Sequence, residues 1–539
     1  MTHDVFNQAR PLAGHDVSAD AALMDGVIRE GADWATGELR RLGLQAGSEQ
    51  AQEWGRLANE HPPVLRTHDR YGHRIDEVEY HPAWHELMTV AVEAGMHATP
   101  WASPRPGAHV ARAAKFYVWS QVESGHGCPI SMTYASIAAL RHSPALAAEW
   151  EPALASRSYD FGLRPPLGKR GVLAGMAMTE KQGGSDVRAG TTRAEPAGDG
   201  SYVLTGHKWF NSAPMCDVFL VLAQAPGGLS CFLLPRVLPD GTRNAVHLMR
   251  LKDKLGNRSN ASAEVEYHGA TAWLVGEEGR GVRTILEMVN MTRLDCVIGS
   301  AAGMRYGVTQ AVHHARHRKA FGRHLADQPL MRNVLADLAL ESEAATVLMT
   351  RLAGATDRAI AGDRAEAALR RTALAVSKYW VCKRAPVHAA EALECLGGNG
   401  YVEESQMPRL FRDSPLNGIW EGSGNVAALD VLRALGREPE AREAFFDEVS
   451  LAAGADRHLD GAADRLRKAL DDPTDLEVRA RRVAEDMALV LQGSLLVRLA
   501  PAAVADAFCV SRLSGEGGHA FGTLPAGLDL DTLVGRAVL

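Results

Sequence analysis

Four short stretches concentrate residue types that can do chemistry. Ala177–Asp186 reads AMTEKQGGSD: a strand end with a hydroxyl and a carboxylate runs into paired glycines. Such a loop offers main-chain N–H groups and hydroxyls to a polar ligand, although a plain turn uses the same residues. Lys208–Ser212, KWFNS, ends another strand. A Trp beside a hydroxyl can wall a planar aromatic ligand, or simply fill a barrel core. Leu396–Tyr401, LGGNGY, lets a backbone or a phosphate approach closely, or caps a helix C-terminus. Ile419–Asn425, IWEGSGN, sets Glu421 after an apolar pair and before a glycine. Desolvation there raises a carboxyl pKa and suits proton abstraction, whereas an ordinary glutamate caps or solvates. His313/His317 and His81/His85 have the i,i+4 spacing of a metal pair. No carboxylate or Cys completes either, so both read as structural and no metal is expected.

The elements around these stretches follow from periodicity. Residues 1–50 form a polar lead-in with short helices. Residues 51–168 read as a helical domain, with Gly-Pro breaks between apolar faces. From Lys169 the texture changes to short β-branched or aromatic runs separated by Gly, Asp, Asn and Pro. That pattern predicts a small antiparallel sheet or barrel over 169–280. Helical periodicity returns over 281–435, with room for four long helices in a bundle. Gly436–Pro439 breaks the chain, and 436–539 form a helical extension with a Gly-rich tail. The fold class is therefore mainly α with a small antiparallel β domain. No βαβ alternation occurs, and no G-x-G-x-x-G follows a strand, which speaks against a Rossmann reading.

Composition narrows the function classes. The 539 residues include 46% apolar and 23% charged positions, ordinary for a globular protein and too apolar for disorder. With 58 Lys/Arg against 65 Asp/Glu, the net charge is -7, so any nucleic-acid contact must come from a local patch. No long uncharged apolar run predicts a membrane span. The start lacks a secretory pattern, and the seven cysteines contain no C-x-x-C, so a cytoplasmic location is expected.

Taken in order, the stretches resemble the acyl-CoA dehydrogenase family of flavoproteins. Met178-Thr179-Glu180 with Gly183-Gly184-Ser185-Asp186 matches one family signature. A second runs from Glu394 through Gly397, Gly398, Gly400, Tyr401, Glu404 and Arg409 to Asp413. MTEKQGGSDV, GHKWF, LKDKLGNRSNAS and GIWEGSGN are similar to one bacterial branch, associated with the response to DNA alkylation. The resemblance implies a helical domain, a β-barrel and a four-helix bundle, followed by the extension. It implies FAD, held by Met178, Thr179, Gly184 and Ser185, by Trp209, Phe210, Asn211 and Ser212, and by Ile419, Trp420, Gly422, Ser423, Gly424 and Asn425. Gly397 and Gly398 of the second signature are also implied to bind the cofactor. Arg318 and Phe321 match the stretch that reaches a neighbouring subunit's FAD, so a homotetramer is implied. Glu421 matches the base that removes the α proton of an acyl-CoA thioester. Other members place that base earlier, at a position occupied here by Thr292. Glu394 stands where most members have Gln.

In the same branch the extension is the DNA-binding part. Gly436–Leu539 holds 12 Lys/Arg and 18 Asp/Glu, which opposes broad attraction to phosphates. Basic residues still cluster at Arg465, Arg467 and Lys468, at Arg479, Arg481 and Arg482, and at Arg433 before the break. Two functions follow from the resemblance. One is an FAD protein that binds double-stranded DNA without sequence preference and protects it from alkylation, with at most weak dehydrogenase activity. The other is a metabolic dehydrogenase of a branched or unusual acyl thioester, using Glu421 and FAD.

Overall fold

A computed structural model describes residues 2–538. They form two compact units, one built from Gln50–Arg105 and Glu123–Thr292, the other from Met1–Glu49, Pro106–Val122 and Arg293–Leu539.

The first unit carries the sheet. A hairpin of β1 (Val64–His68) and β2 (Arg74–Glu79) stands inside the stretch read as helical. Its turn is set by Asp69, whose carboxylate accepts from Tyr71 N at 2.8 Å and His73 N at 2.9 Å. The main sheet comprises β3 (Ala174–Ala177), β4 (Arg193–Pro196), β5 (Tyr202–Ser212), β6 (Val218–Ala225), β7 (Gly228–Pro235), β8 (Val246–Leu251) and β9 (Ser262–Val275). β6 pairs with β7, β7 with β9, β9 with β5 and β5 with β4. A bridge from Arg193 of β4 to Gln224 of β6 closes the ring into a barrel. β8 adds to β9. Most pairings are antiparallel, as expected, but β3 and β4 meet β6 in parallel. β6 is the strand whose first six residues are all buried, the pattern of a strand covered on both faces. On β5 the inward positions are Leu204, Lys208 and Asn211.

In the second unit the bundle rests on three long helices, Gly281–His317, Pro329–Ile360 and Arg364–Glu394. The first begins in the other unit. Where a fourth long helix was expected, the chain has turns, a short helix at Met407–Asp413 and the 14-residue helix Gly424–Arg437. The break falls there because Gly397, Gly398, Gly400, Pro408 and Pro415 interrupt the helical run. Helix Ala108–Ser120 is buried almost throughout, so its polar residues need partners. Arg112 pairs with Asp295 (Nη2–Oδ2 2.8 Å), and the Tyr117 hydroxyl donates to Asp20 at 2.8 Å.

The extension comprises helices Pro439–Ser450, Arg457–Asp471, Ala480–Leu499, Ala502–Phe508 and Leu530–Arg536. Ala480–Leu499 packs against Gly424–Arg437 and against two of the long helices. Arg512 to Asp337 and Arg536 to Glu343 at 2.7 Å tie the extension to helix Pro329–Ile360, and Arg498 to Glu448 at 2.6 Å joins two helices within it. The Gly-rich tail lies on Pro329–Ile360. Asn333 exchanges two hydrogen bonds with the Leu524 backbone, and Phe521 is buried in the bundle core. No helix among the described residues is long and apolar enough to cross a membrane.

Candidate active site

The barrel unit organises the first two stretches. Strand β3 ends before Met178 and Thr179, and Trp209 N donates to the Thr179 carbonyl at 2.8 Å, tying the first stretch to β5. Residues Gly183 to Asp186 are exposed, and Gly183 has φ +133°. Gly184 has no room for a side chain: an added Cβ would stand 2.5 Å from Thr179 Oγ1. Phe210 is half exposed next to Trp209, while Asn211 is buried with an unpartnered Oδ1. Beneath them, Lys208 turns inward and pairs with Glu180 at 2.9 Å. Its Nζ also donates to the Leu222 carbonyl at 2.7 Å. Glu180 accepts from Thr191 N at 2.6 Å and Thr192 N at 3.0 Å. Burial opposes its charge, but the Lys208 ammonium and these amides prevail and hold the carboxyl far below the usual range. Burial pulls Lys208 down, and Glu180 offsets part of that. Above the strand, Lys252 Nζ lies 3.2 Å from the Trp209 ring centroid and 2.6 Å from Glu264.

The bundle unit positions the other stretches. Ile419 is exposed. Trp420 Nε1 donates to Asn417 Oδ1 at 2.9 Å, and Asn417 donates to Ser300 at 3.1 Å. Glu421 is half buried as a residue, and its Oε2 is fully enclosed. It adopts φ +58°, with Gly422 at φ +102°, a left-handed turn that costs a non-glycine residue roughly 1–2 kcal/mol. Two cations hold this turn. Arg293 Nε donates to the Glu421 carbonyl at 3.0 Å, and Lys378 Nζ donates to the Gly422 carbonyl. Arg293 is oriented by Asp430 at 2.8 Å. Burial works against the Asp430 charge, but Arg293 and Arg371 outweigh it and lower its pKa. Ser423 and Gly424 open helix Gly424–Arg437, and Asn425 Oδ1 accepts from Arg481 at 2.7 Å. An added Cβ at Gly397 or Gly398 would meet nothing within 4 Å. Phe321 and Tyr401 are 97% and 81% exposed, and Arg318 donates to the Asn7 carbonyl at 2.6 Å.

The basic candidates for phosphate contact are engaged more than their spacing suggests. Arg433 pairs with Asp430 at 3.1 Å, Arg482 with Asp486 at 3.0 Å, and Arg467 with Asp464 at 3.6 Å. Arg465 donates to the Leu513 carbonyl, and Arg479 caps carbonyls of Ala469, Asp472 and Thr474. Lys468 is exposed. The histidine pairs serve the backbone or a tyrosine. His81 accepts from Ala83 N, His85 meets the Tyr159 hydroxyl at 2.8 Å, and His313 donates to the Arg10 carbonyl.

Sequence comparison places these geometries in a lineage. The middle and C-terminal domains of acyl-CoA dehydrogenases match residues 175–270 and 279–436, and the adaptive response protein AidB N-terminal domain matches 7–161. A protein of Escherichia coli strain K12 named as an acyl-CoA dehydrogenase, AidB, is 48% identical over 96% of both chains. The chain belongs to the AidB-like acyl-CoA dehydrogenase family. Acyl-CoA dehydrogenase family member 11 of Caenorhabditis elegans is 31% identical over 86% of this AidB-like chain and 78% of its own length. The solved structure of C. elegans ACDH-11 in complex with C11-CoA superposes with a TM-score of 0.88 at 28% identity, covering 95% and 94% of the two chains. FAD is the family's cofactor, and the residues present fit it. The loop at Gly184 excludes a side chain, the Trp209–Phe210 edge is a half-open aromatic shelf, and Asn211 keeps a buried acceptor unmatched.

Sequence reasoning missed the supporting charges: Glu180–Lys208, Lys252, Asp430 and Lys378. A signal existed for two of them. Lys208 occupies an inward position of an alternating strand, and Lys378 interrupts the apolar run ALAVSKYWV. A charge on a buried face requires a partner.

Proposed function

We propose that this chain is a flavoprotein that oxidises acyl-CoA thioesters at the α and β carbons, with Glu421 as the base. The observation that carries this reading is the held turn at Glu421. A carboxylate on a strained left-handed residue, with its own and the next carbonyl fixed by buried cations, is built to stand in one place. Glu421 takes the α proton onto its carboxylate. Bound FAD supplies the acceptor for the β hydride, and an α,β-unsaturated thioester results. Met178, Thr179, Gly184 and Ser185 would hold the flavin, together with Trp209, Phe210, Asn211 and Ser212. Ile419, Trp420 and Gly422 to Asn425 would also bind the cofactor in this reading. Gly397 and Gly398 would contact the cofactor, and Arg318 and Phe321 would reach a neighbouring subunit in a cytoplasmic homotetramer, a role suited to the exposure of Phe321. Anaerobic mixing of the purified flavoprotein with isovaleryl-CoA, and with longer straight and branched acyl-CoAs, tests the chemistry. Bleaching of the flavin absorbance by at least one thioester is expected; no bleaching by any overturns it.

A second reading adds DNA protection in the response to alkylation. It is favoured by similarity along the full length to an AidB protein, including a domain described by the adaptive response. Exposed Arg433, Lys468 and Arg482, with half-buried Arg467, are the residues that would meet phosphates, while Arg465, Arg479 and Arg481 are nearer their own backbone and side-chain partners. Fluorescence anisotropy with a labelled duplex across salt concentrations tests it independently of turnover.

A further inference from the structure

Arg481 stands in the first turn of helix Ala480–Leu499 of the extension, and its Nε donates to Asn425 Oδ1 at 2.7 Å. The arginines on either side are answered differently: Arg479 caps carbonyls and Arg482 pairs with Asp486. Arg481 has a neutral amide for its partner. Its Nη2 lies at Gly424, 3.4 Å from where an added Cβ would stand. Lys383, on helix Arg364–Glu394, reaches the same point, with Cε 2.9 Å and Nζ 3.4 Å from that Cβ. A side chain at position 424 would fill the space in which the two cations meet. Lys383 faces the Tyr379 ring, its Nζ 5.9 Å from the centroid. Among the described residues, no carboxylate forms an ion pair with Lys383 or Arg481; Glu485, one turn along from Arg481, acts on Tyr379 instead. Lys378 brings a third positive charge to the neighbouring Gly422 carbonyl. Partial burial, Arg481 and Lys378 together pull Lys383 below its ordinary range. Like charges gathered without a counter-charge draw anions from solution. Helix Gly424–Arg437 begins here with no side-chain cap, which adds to the field, but the converging cations distinguish this end from any other.

We propose that Arg481 and Lys383 form, over Gly424, a seat for the diphosphate of a nucleotide cofactor, so that the extension lends a residue to the cofactor site. A guanidinium takes phosphate oxygens in pairs, and an ammonium adds a point charge. Both side chains are exposed and open to a ligand. Two molecules of the proposed reaction carry a diphosphate, FAD and the acyl-CoA thioester. The first source needs only the family's cofactor; the second rests on the dehydrogenase reading.

The test uses the full-length flavoprotein and the variants Arg481→Gln, Lys383→Gln and Arg481→Lys. Gln at position 481 keeps a donor for Asn425 and removes the charge, and both positions are exposed, so the fold is retained. Release of FAD on dilution is followed by flavin fluorescence. Calorimetry on the loaded protein measures CoA against pantetheine, which lacks the diphosphate. Losing one charged contact to phosphate weakens binding roughly 10–100-fold. Both Gln variants are expected to show that loss, as faster FAD release if FAD fills the seat, or as weaker CoA with pantetheine unchanged if the thioester does. Arg481→Lys is expected to retain most of the binding. The gap to the parent should close at high salt, because a charge contact is screened and a packing contact is not. FAD release and CoA affinity both unchanged in either Gln variant overturn the proposal, whatever happens to duplex binding. So does a loss that persists at high salt, or a CoA loss matched by pantetheine. If no thioester bleaches the parent flavin, the dehydrogenase reading fails, while FAD release still decides the seat.

Discussion

At the scale of single residues, the candidate site depends on charges that are buried and answered. Replacing Glu421 by Gln keeps the shape of the turn and removes the base. Flavin bleaching by a competent thioester should slow by about 10²–10⁴-fold, with flavin content and duplex binding unchanged. A bleaching rate within threefold of the parent would exclude Glu421 as the base. The pair Lys208–Glu180 acts differently, as a fastening of the loop to β5. Lys208→Met leaves Glu180 buried without its counter-ion, a change worth about 3–5 kcal/mol, and flavin retention should fall with it. The pH dependence has a definite sign. Glu180 has a folded pKa below its ordinary value of about 4.5, so its contribution is complete above that pH and lost as the pH falls further. Thermal melts of the parent should therefore decline below about pH 4.5. Lys208→Met should show a lower melting temperature at neutral pH and a shallower acid decline. An equally steep decline in the variant would assign the acid sensitivity to other carboxylates.

At the scale of elements, the Gly-rich tail is a packed strap. Gly522 lies at φ +79°, and an added Cβ would stand 2.5 Å from Val334 Cγ2 on helix Pro329–Ile360. Gly522→Ala combines a left-handed penalty with overpacking, together about 2–4 kcal/mol. Gly515, at φ +86° with nothing within 4 Å of an added Cβ, isolates the first cost at about 1–2 kcal/mol. Chemical denaturation of the two variants should separate them by that difference; equal losses would mean that the strap yields. Such a strap shows where reading the chain alone stops. Its composition signals a loop, but nothing local says that Asn333 and Asp337, nearly two hundred residues earlier, hold it. Composition located β6 and β7 because each is a continuous apolar run. It passed over β1 and β2, which alternate polar with weakly apolar residues, although the turn signal Asp69–Gly72 lay between them. The parallel pairings of β6 were equally illegible, since partner choice is a long-range property. The site stretches were legible because glycines and hydroxyls cluster there, while Lys378 and Asp430 lie alone in regular elements, far along the chain from the residues they hold; Lys208 lay inside a stretch, but its partner Glu180 is set by long-range pairing.

At the scale of the molecule, charge decides how DNA could be met. The net charge is -7, and the extension spends several arginines on its own docking. The remaining basic candidates face carboxylates: Arg433 beside Asp430, Arg467 beside Asp464 and Arg482 beside Asp486. Exposed pairs of this kind are weak, typically within about 1 kcal/mol, so a phosphate can displace the carboxylate, but each displacement reduces the gain. Binding by three or four such residues should be modest, with log K falling against log salt at a slope of roughly -3 to -4. Arg482→Ala should flatten that slope by about one unit. Neutralising the competitors works in the opposite direction. Asp464→Asn and Asp486→Asn free Arg467 and Arg482, and together should tighten duplex binding several-fold at low salt. Asp430 is left untouched because it also orients Arg293 at the base turn. Anisotropy with a labelled duplex on the parent and these variants distinguishes the cases. Tighter binding by the double Asn variant, with the slope loss in Arg482→Ala, would place phosphates on this face. Unaltered affinity in both would move the DNA contact elsewhere, and no binding by the parent at low salt would leave the thioester chemistry to stand alone.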